Sequence, residues 1–153
     1  MTQIRDRVSA ALKEAMRNKQ ADRLSTLRLI TAAIKDRDIA VRAESTTEGV
    51  TEDDVLQILG KMVKQRQESA HAYEEGGRLE LAEQERSEIL VIEEFLPRKL
   101  TEDEVDAAIA KAIADTGAES IRDMGKVMGA LKAKYMGQMD FGAVGPRVKS
   151  QLG

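Results

Sequence analysis

The sequence predicts an all-α protein, with an N-terminal lobe of about four helices and a small C-terminal domain of three. Three observations carry this. Only two of the 153 residues are proline. Aromatics make up 3% and tryptophan is absent, so the core must come from Leu, Ile, Val, Ala and the seven Met. The commonest residues are strong helix formers. Together these exclude a β-sandwich or barrel. With 42% hydrophobic and 33% charged residues, the composition is that of an ordinary globular chain. A chain of this length folds as one domain or two small lobes and buries roughly 68–70% of its unfolded surface.

Ile4, Val8, Leu12, Ala15 and Met16 recur at the 4-4-3 spacing of one helix face, predicting a helix from about residue 2 to 18. After a pause at Asn18-Lys19-Gln20, Asp22 is the expected N-cap of a second helix bearing Leu24, Leu27, Ile30, Thr31, Ile34 and Val41. Residues 43–50 are small and polar, and predict a loop. Thr51-Glu52-Asp53-Asp54 opens the third helix, with a Thr cap and acidic side chains matched to the helix dipole. Its apolar face is Val55, Ile58, Leu59, Met62, Val63, Ala70 and Tyr73, and Gly76-Gly77 ends it. The fourth helix begins near Arg78, carries Leu79, Ala82, Ile89, Ile92 and Leu96, and is stopped by Pro97. The third and fourth helices form an antiparallel hairpin.

The domain boundary is expected at Pro97 to Leu100, giving domains 1–97 and 98–153. Thr101-Glu102-Asp103-Glu104 is a capping box, followed by Val105, Ala108, Ile109, Ala112 and Ile113 up to Gly117. A helix from about Asp123 to Tyr135 presents Met124, Val127, Met128 and Leu131. After a turn at 136–139, Asp140 is a good N-cap for a last helix bearing Val144, Val148 and Leu152. Pro146 is awkward there and predicts a kink or a later start.

Cysteine is absent, which excludes disulfides, thiolate metal sites, Fe–S ligation and a cysteine nucleophile. No apolar run approaches 18 residues, and the N-terminus reads as polar, so a cytoplasmic protein with no membrane span is expected. The net charge of −3 is unevenly spread. Residues 1–42 carry ten basic and five acidic side chains, a net of +5, and residues 43–97 five and fourteen, a net of −9. Residues 98–120 sum to −3 and 121–153, with six basic and two acidic, to +4. A polyanion is attracted to the two ends and repelled by the middle.

No phosphate-loop motif occurs, since Gly142-Ala143-Val144-Gly145-Pro146 lacks the Gly-Lys-Ser/Thr that must follow. His71 is the only histidine and is expected as a plain surface residue, with no metal and no cofactor. Glu83, Glu85, Glu88, Glu93 and Glu94 are expected as a solvated face of the fourth helix. The informative oddity is glycine inside a helix. Gly125 and Gly129 stand at i, i+4 with Ala133 continuing the stripe, at a cost of about 1 kcal/mol each relative to Ala. Two explanations fit. A neighbouring helix packs tightly there, or a phosphate backbone approaches, since Arg122, Lys126, Lys132 and Lys134 flank this helix and Arg147 and Lys149 follow.

Several motifs in order resemble the GatB/YqeY family: Lys61-Met62-Val63-Lys64-Gln65-Arg66, Gly77-Arg78, Leu81-Ala82, Glu85, Glu88, Ile92, Phe95-Leu96-Pro97 and Leu100 to Glu104. Met124-Gly125-Lys126-Val127-Met128-Gly129-Ala130-Leu131 does so too, with Gly137, Asp140, Val148 and Leu152 after it. The resemblance covers essentially the whole chain. It implies a standalone protein similar to the tail region of the B subunit of the glutamyl/aspartyl-tRNA amidotransferase, an all-α tRNA-binding appendage whose chemistry lies elsewhere. By that resemblance the glycine helix and the turn from Gly137 to Asp140 carry the tail motif. The chain departs from the family at Gln138 and Met139, where a basic and a small residue are often found.

The expected function is a tRNA-associated accessory protein without catalytic residues of its own, binding tRNA or another structured RNA through backbone contacts. An alternative is a protein–protein adaptor whose partner docks on Met124, Met128, Met136 and Met139. A third is carbon–nitrogen ligase activity with glutamine as amide donor, by family association, although no nucleophile–base pair, ATP loop or metal cage can be assembled from these residues.

Overall fold

Periodicity and caps set out seven helices, and the computed structural model, which describes residues 3–43 and 50–152, contains seven α-helices and no strand among those residues. They are α1 (Gln3–Arg17), α2 (Ala21–Ala43), α3 (Glu52–Glu75), α4 (Leu79–Glu93), α5 (Glu102–Thr116), α6 (Met124–Tyr135) and α7 (Phe141–Leu152), with a 3₁₀ turn at Ile121–Asp123 ahead of α6. The chain divides into two compact units between Leu96 and Pro97, one residue ahead of the boundary read from the sequence.

In the first unit α1 and α2 pair, and α3 and α4 form the hairpin. One side of each helix supplies the core: Val8 and Ala15 from α1, Leu27, Ile30 and Ile34 from α2, Leu59 and Val63 from α3, Ile89 and Ile92 from α4. Truncating a fully buried side chain such as Leu27 to Ala should cost about 2–5 kcal/mol. Met16, assigned to the core face of α1, is instead 54% exposed, because Ala15 occupies the inward position. Leu79, assigned to the core face of α4, is also exposed.

Polar groups fix the helix ends. The Glu52 carboxylate, in the first turn of α3, accepts from the N–H groups of Gln3 (2.9 Å) and Ile4 (3.1 Å), so one helix caps the start of another. Thr51 and Asp54 form a reciprocal capping box at the head of α3. Asp22 is not the N-cap of α2: it lies inside the first turn, and the Gln20 carbonyl already accepts from Leu24 N–H at 2.8 Å. Lys19, with φ +53°, makes the tight reversal that lets α2 start this early. The loop assigned to 43–50 lies mostly outside the described residues; Ala43 ends α2 and Val50 packs on the core.

The glutamates of α4 are not one solvated face. Arg66 Nε donates to Glu88 at 2.9 Å with both side chains largely buried, and Arg23 pairs with Glu94 just past the end of the helix. Burial and the neighbouring Glu88 push the Glu85 carboxyl above its ordinary value. The helix ends at Glu93, and three tighter turn bonds carry the chain through Leu96 to Pro97. Phe95, in that last turn, is 4% exposed and belongs to the core.

In the second unit α5, α6 and α7 enclose Val105, Ile109, Val127, Leu131, Val144 and Val148. Thr101 and Glu104 close a reciprocal capping box, and Gly117 ends α5 at φ +67°. α7 starts at Phe141 rather than later, with Pro146 inside it. The helix gives up one interior hydrogen bond there, since Pro146 is the sixth helical residue and has no N–H.

Candidate nucleic-acid interface

Each residue of α6 turns about 100° around the axis, so Val127 and Leu131 share the buried side. Met124, Met128 and Tyr135 pack half-buried at its margins. Gly125, Gly129 and Ala133 are exposed on the opposite side. A Cβ placed on Gly125 or Gly129 would meet nothing within 4 Å. Neither glycine has positive φ. Among the described residues, therefore, no helix packs against this stripe, and the close-packing explanation for the glycines drops out.

On the same wheel Lys132 falls about 20° to one side of Gly125, and Lys126 about 20° beyond Ala133. Two exposed ammonium groups thus border a strip of small residues about 80° wide, with bare backbone at the two glycines. Lys126 Nζ is 3.9 Å from the Asp123 carboxylate, whose pKa is lowered chiefly by accepting the Glu119 N–H. Lys132 Nζ stands 6.0 Å from the Phe141 ring centroid. Arg122, in the 3₁₀ turn one helical turn ahead of Lys126, is exposed.

The other expected phosphate contacts are not brought to this face. Lys134 lies about 180° from Gly125, with its ammonium 5.5 Å from the Tyr135 ring centroid. Arg147 is engaged internally, pairing with Asp106 and donating to the Glu102 carbonyl at 3.0 Å. Lys149 is exposed on α7, a different helix.

Gly137 and Asp140 have conformational work in the turn. Met136 (φ −53°, ψ 126°) and Gly137 (φ +82°) make a type II turn closed by Gln138 N–H to the Tyr135 carbonyl at 2.9 Å. Asp140 Oδ1 accepts from Gly142 N–H at 3.0 Å and so caps α7. Gln138 spends its amide on the Arg98 carbonyl at 3.2 Å. Met139 is 8% exposed and part of the core. Of the four methionines of the adaptor alternative, Met139 therefore faces inward, and Met124 and Met128 pack half-buried on the core.

His71 is exposed on α3 with Nε2 3.0 Å from Glu75. Among the described residues no three His, Asp or Glu side chains gather to hold a metal ion, and no helix is long and apolar enough to cross a membrane.

Sequence comparisons bear on the whole chain. A family model described as Yqey-like protein matches residues 5–152. The chain is 34% identical over 87 residues to an uncharacterized protein of Schizosaccharomyces pombe, covering 56% of this chain and 66% of that one, just under two thirds. It is 28% identical over 151 residues to the altered inheritance of mitochondria protein 41, mitochondrial, of Pyrenophora tritici-repentis, covering 96% of this chain and 80% of the relative. A protein of the same name from Clavispora lusitaniae is 36% identical over 85 residues, 56% of this chain and 46% of the relative. The word mitochondrial in these names describes those proteins.

Proposed function

The chain belongs to the Yqey-like protein family, and from that premise we propose that it is a tRNA-associated accessory protein that grips the RNA backbone with α6 and performs no catalysis of its own. One observation carries the reading: the open strip of Gly125, Gly129 and Ala133, against which nothing packs among the described residues, runs between Lys126 and Lys132. Bare backbone lets a phosphate come close, and the two ammonium groups meet it from either side. Arg122 extends the positive edge by a turn. Contacts of this kind hold shape and charge rather than base sequence, so affinity should be modest, strongly salt-dependent and tolerant of RNA sequence. Stacking should add little, since Tyr135 and Phe141 are half-buried against the core. The proposed site of action is the cytoplasm.

The test is binding of an unmodified tRNA transcript to the full chain at low salt. Lys126→Glu with Lys132→Glu should weaken binding at least tenfold while leaving helicity unchanged. Arg147→Gln serves as the internal control, because Arg147 is turned onto α5, bound to both Asp106 and the Glu102 carbonyl. Unchanged binding in the double variant, or no binding by the wild type, sinks the proposal. Binding of a protein partner with little salt dependence would favour the adaptor alternative instead.

A further inference from the structure

We infer that α2 carries a second surface for the phosphates of structured RNA, formed by Arg28, Lys35 and Arg42. This extends the RNA-binding reading to the N-terminal unit, but it rests on different residues. The three cations are seven residues apart, so they drift only about 20° per step and stand roughly 10.5 Å apart along the helix. All three are exposed. The residues between them on the same face, Thr31, Ala32 and Ile39, are uncharged. The nearest acid toward one side, Asp36, lies about 100° around the helix from the centre of the row. On the other side Asp38 is already held by two hydrogen bonds from Arg5, which keep its carboxyl below the ordinary range. Arg42 adds to that lowering through its field, yet the Arg5–Asp38 pair is neutral, so the charge of Arg42 is not cancelled.

The other two cations of α2 are engaged, Arg23 with Glu94 and Arg37 with Asp54, and on α1 Arg7 binds the Glu94 carbonyl and lies over the Phe95 ring. Arg28, Lys35 and Arg42 form no ion pair among the described residues. Lys13 and Arg17 of α1 also lack an ion pair among the described residues, but on α2 the unpaired cations are these three, set in a straight exposed row.

The chemistry favours a phosphate backbone over an acidic protein. Protein interfaces centre on apolar and aromatic anchors, and this row offers only Ile39. Beside Lys35 a cleft of about 60 Å³ between α1 and α2 is lined by Arg5, Ser9 and Thr31 among others. Lys35 and the Ser9 hydroxyl offer donors to a phosphate oxygen there.

The experiment measures binding of the full-length protein to an unmodified tRNA transcript across a salt series, with the variant Arg28→Gln, Lys35→Gln, Arg42→Gln. These exposed changes keep helix-forming side chains, and circular dichroism checks the fold. Each lost phosphate contact should flatten the log–log salt dependence by about 0.7–0.9, so the triple variant should lose roughly 2 to 3 from its slope. An unchanged slope and affinity overturn the inference and leave the α6 proposal to its own variants. Loss in the α2 variant with none in Lys126→Glu/Lys132→Glu supports the inference and overturns the α6 proposal. Wild-type protein that fails to bind tRNA, or that binds poly-glutamate in preference to it, overturns the inference outright.

Discussion

The side-chain amide of Gln138 donates to the carbonyl of Arg98 at 3.2 Å, and two residues on, the Leu100 N–H donates to the Gln138 carbonyl at 2.9 Å. The Arg98 guanidinium meanwhile grips both Glu104 oxygens at 2.8 and 2.9 Å. The basic pair Arg98-Lys99, which the sequence presents as a linker, is therefore tied to the C-terminal unit from two directions. Proteases need an extended stretch with unanchored backbone. Tryptic cleavage after Arg98 and Lys99 should accelerate several-fold in Gln138→Ala relative to wild type. Equal rates in the two proteins would mean that the clamp does not hold in solution.

The same cluster makes the C-terminal unit acid-sensitive. Hydrogen bonds from Arg98 and then from the Thr101 N–H hold the Glu104 carboxyl at about 2 rather than 4.5. Because the folded-state value is depressed, the stabilisation is fully present above about pH 4.5 and is lost as pH falls toward 2. Asp123, also lowered, acts in the same direction. Glu104→Gln keeps an acceptor for the capping box but cannot titrate. Its melting temperature should lie below that of wild type at neutral pH, and the gap should close near pH 2. A gap independent of pH would contradict the assignment.

Arg147 supplies a contrast within the basic tail. Its pair with Asp106 is partly exposed and its bond to the Glu102 carbonyl ties α7 to the start of α5. Arg147→Gln should cost about 1 kcal/mol or less in chemical denaturation. Binding of tRNA should stay within twofold of wild type. Loss of binding comparable to that of the Lys126/Lys132 variant would move Arg147 into the interface.

These residues mark where the sequence was legible. Helix existence followed from apolar spacing, because burying one face is a local, periodic demand. The Thr101 box and the Asp140 cap were equally readable, since donor and acceptor lie two or three residues apart. At Thr51 the acids were read as matching the dipole, whereas Asp54 completes a second box. The partners of Arg147, Gln138 and Glu52 were hidden, lying 40 or more residues away in sequence. Phe95 escaped because it follows the last periodic turn of α4. Among the proposed RNA contacts, helical spacing alone separated Lys132 from Lys134, but only the fold could show that Arg147 was spoken for and that the glycine face was open.

That open face yields the sharpest test. Gly125 and Gly129 sit in ordinary helical backbone, and a Cβ on either meets nothing within 4 Å. Alanine at each position should therefore bring no clash, and should stabilise the helix by about 1 kcal/mol apiece through propensity and reduced unfolded-state entropy. Gly125→Ala with Gly129→Ala should raise the unfolding free energy of the C-terminal unit by about 2 kcal/mol if the two effects add. The methyl groups would at the same time keep a phosphate from reaching the backbone between Lys126 and Lys132. Binding of tRNA should weaken as stability rises, and Gly129→Leu should weaken it further. If the alanine variant is more stable and binds tRNA as well as wild type, the glycines are not there for a ligand. If it is less stable, something packs on α6 after all.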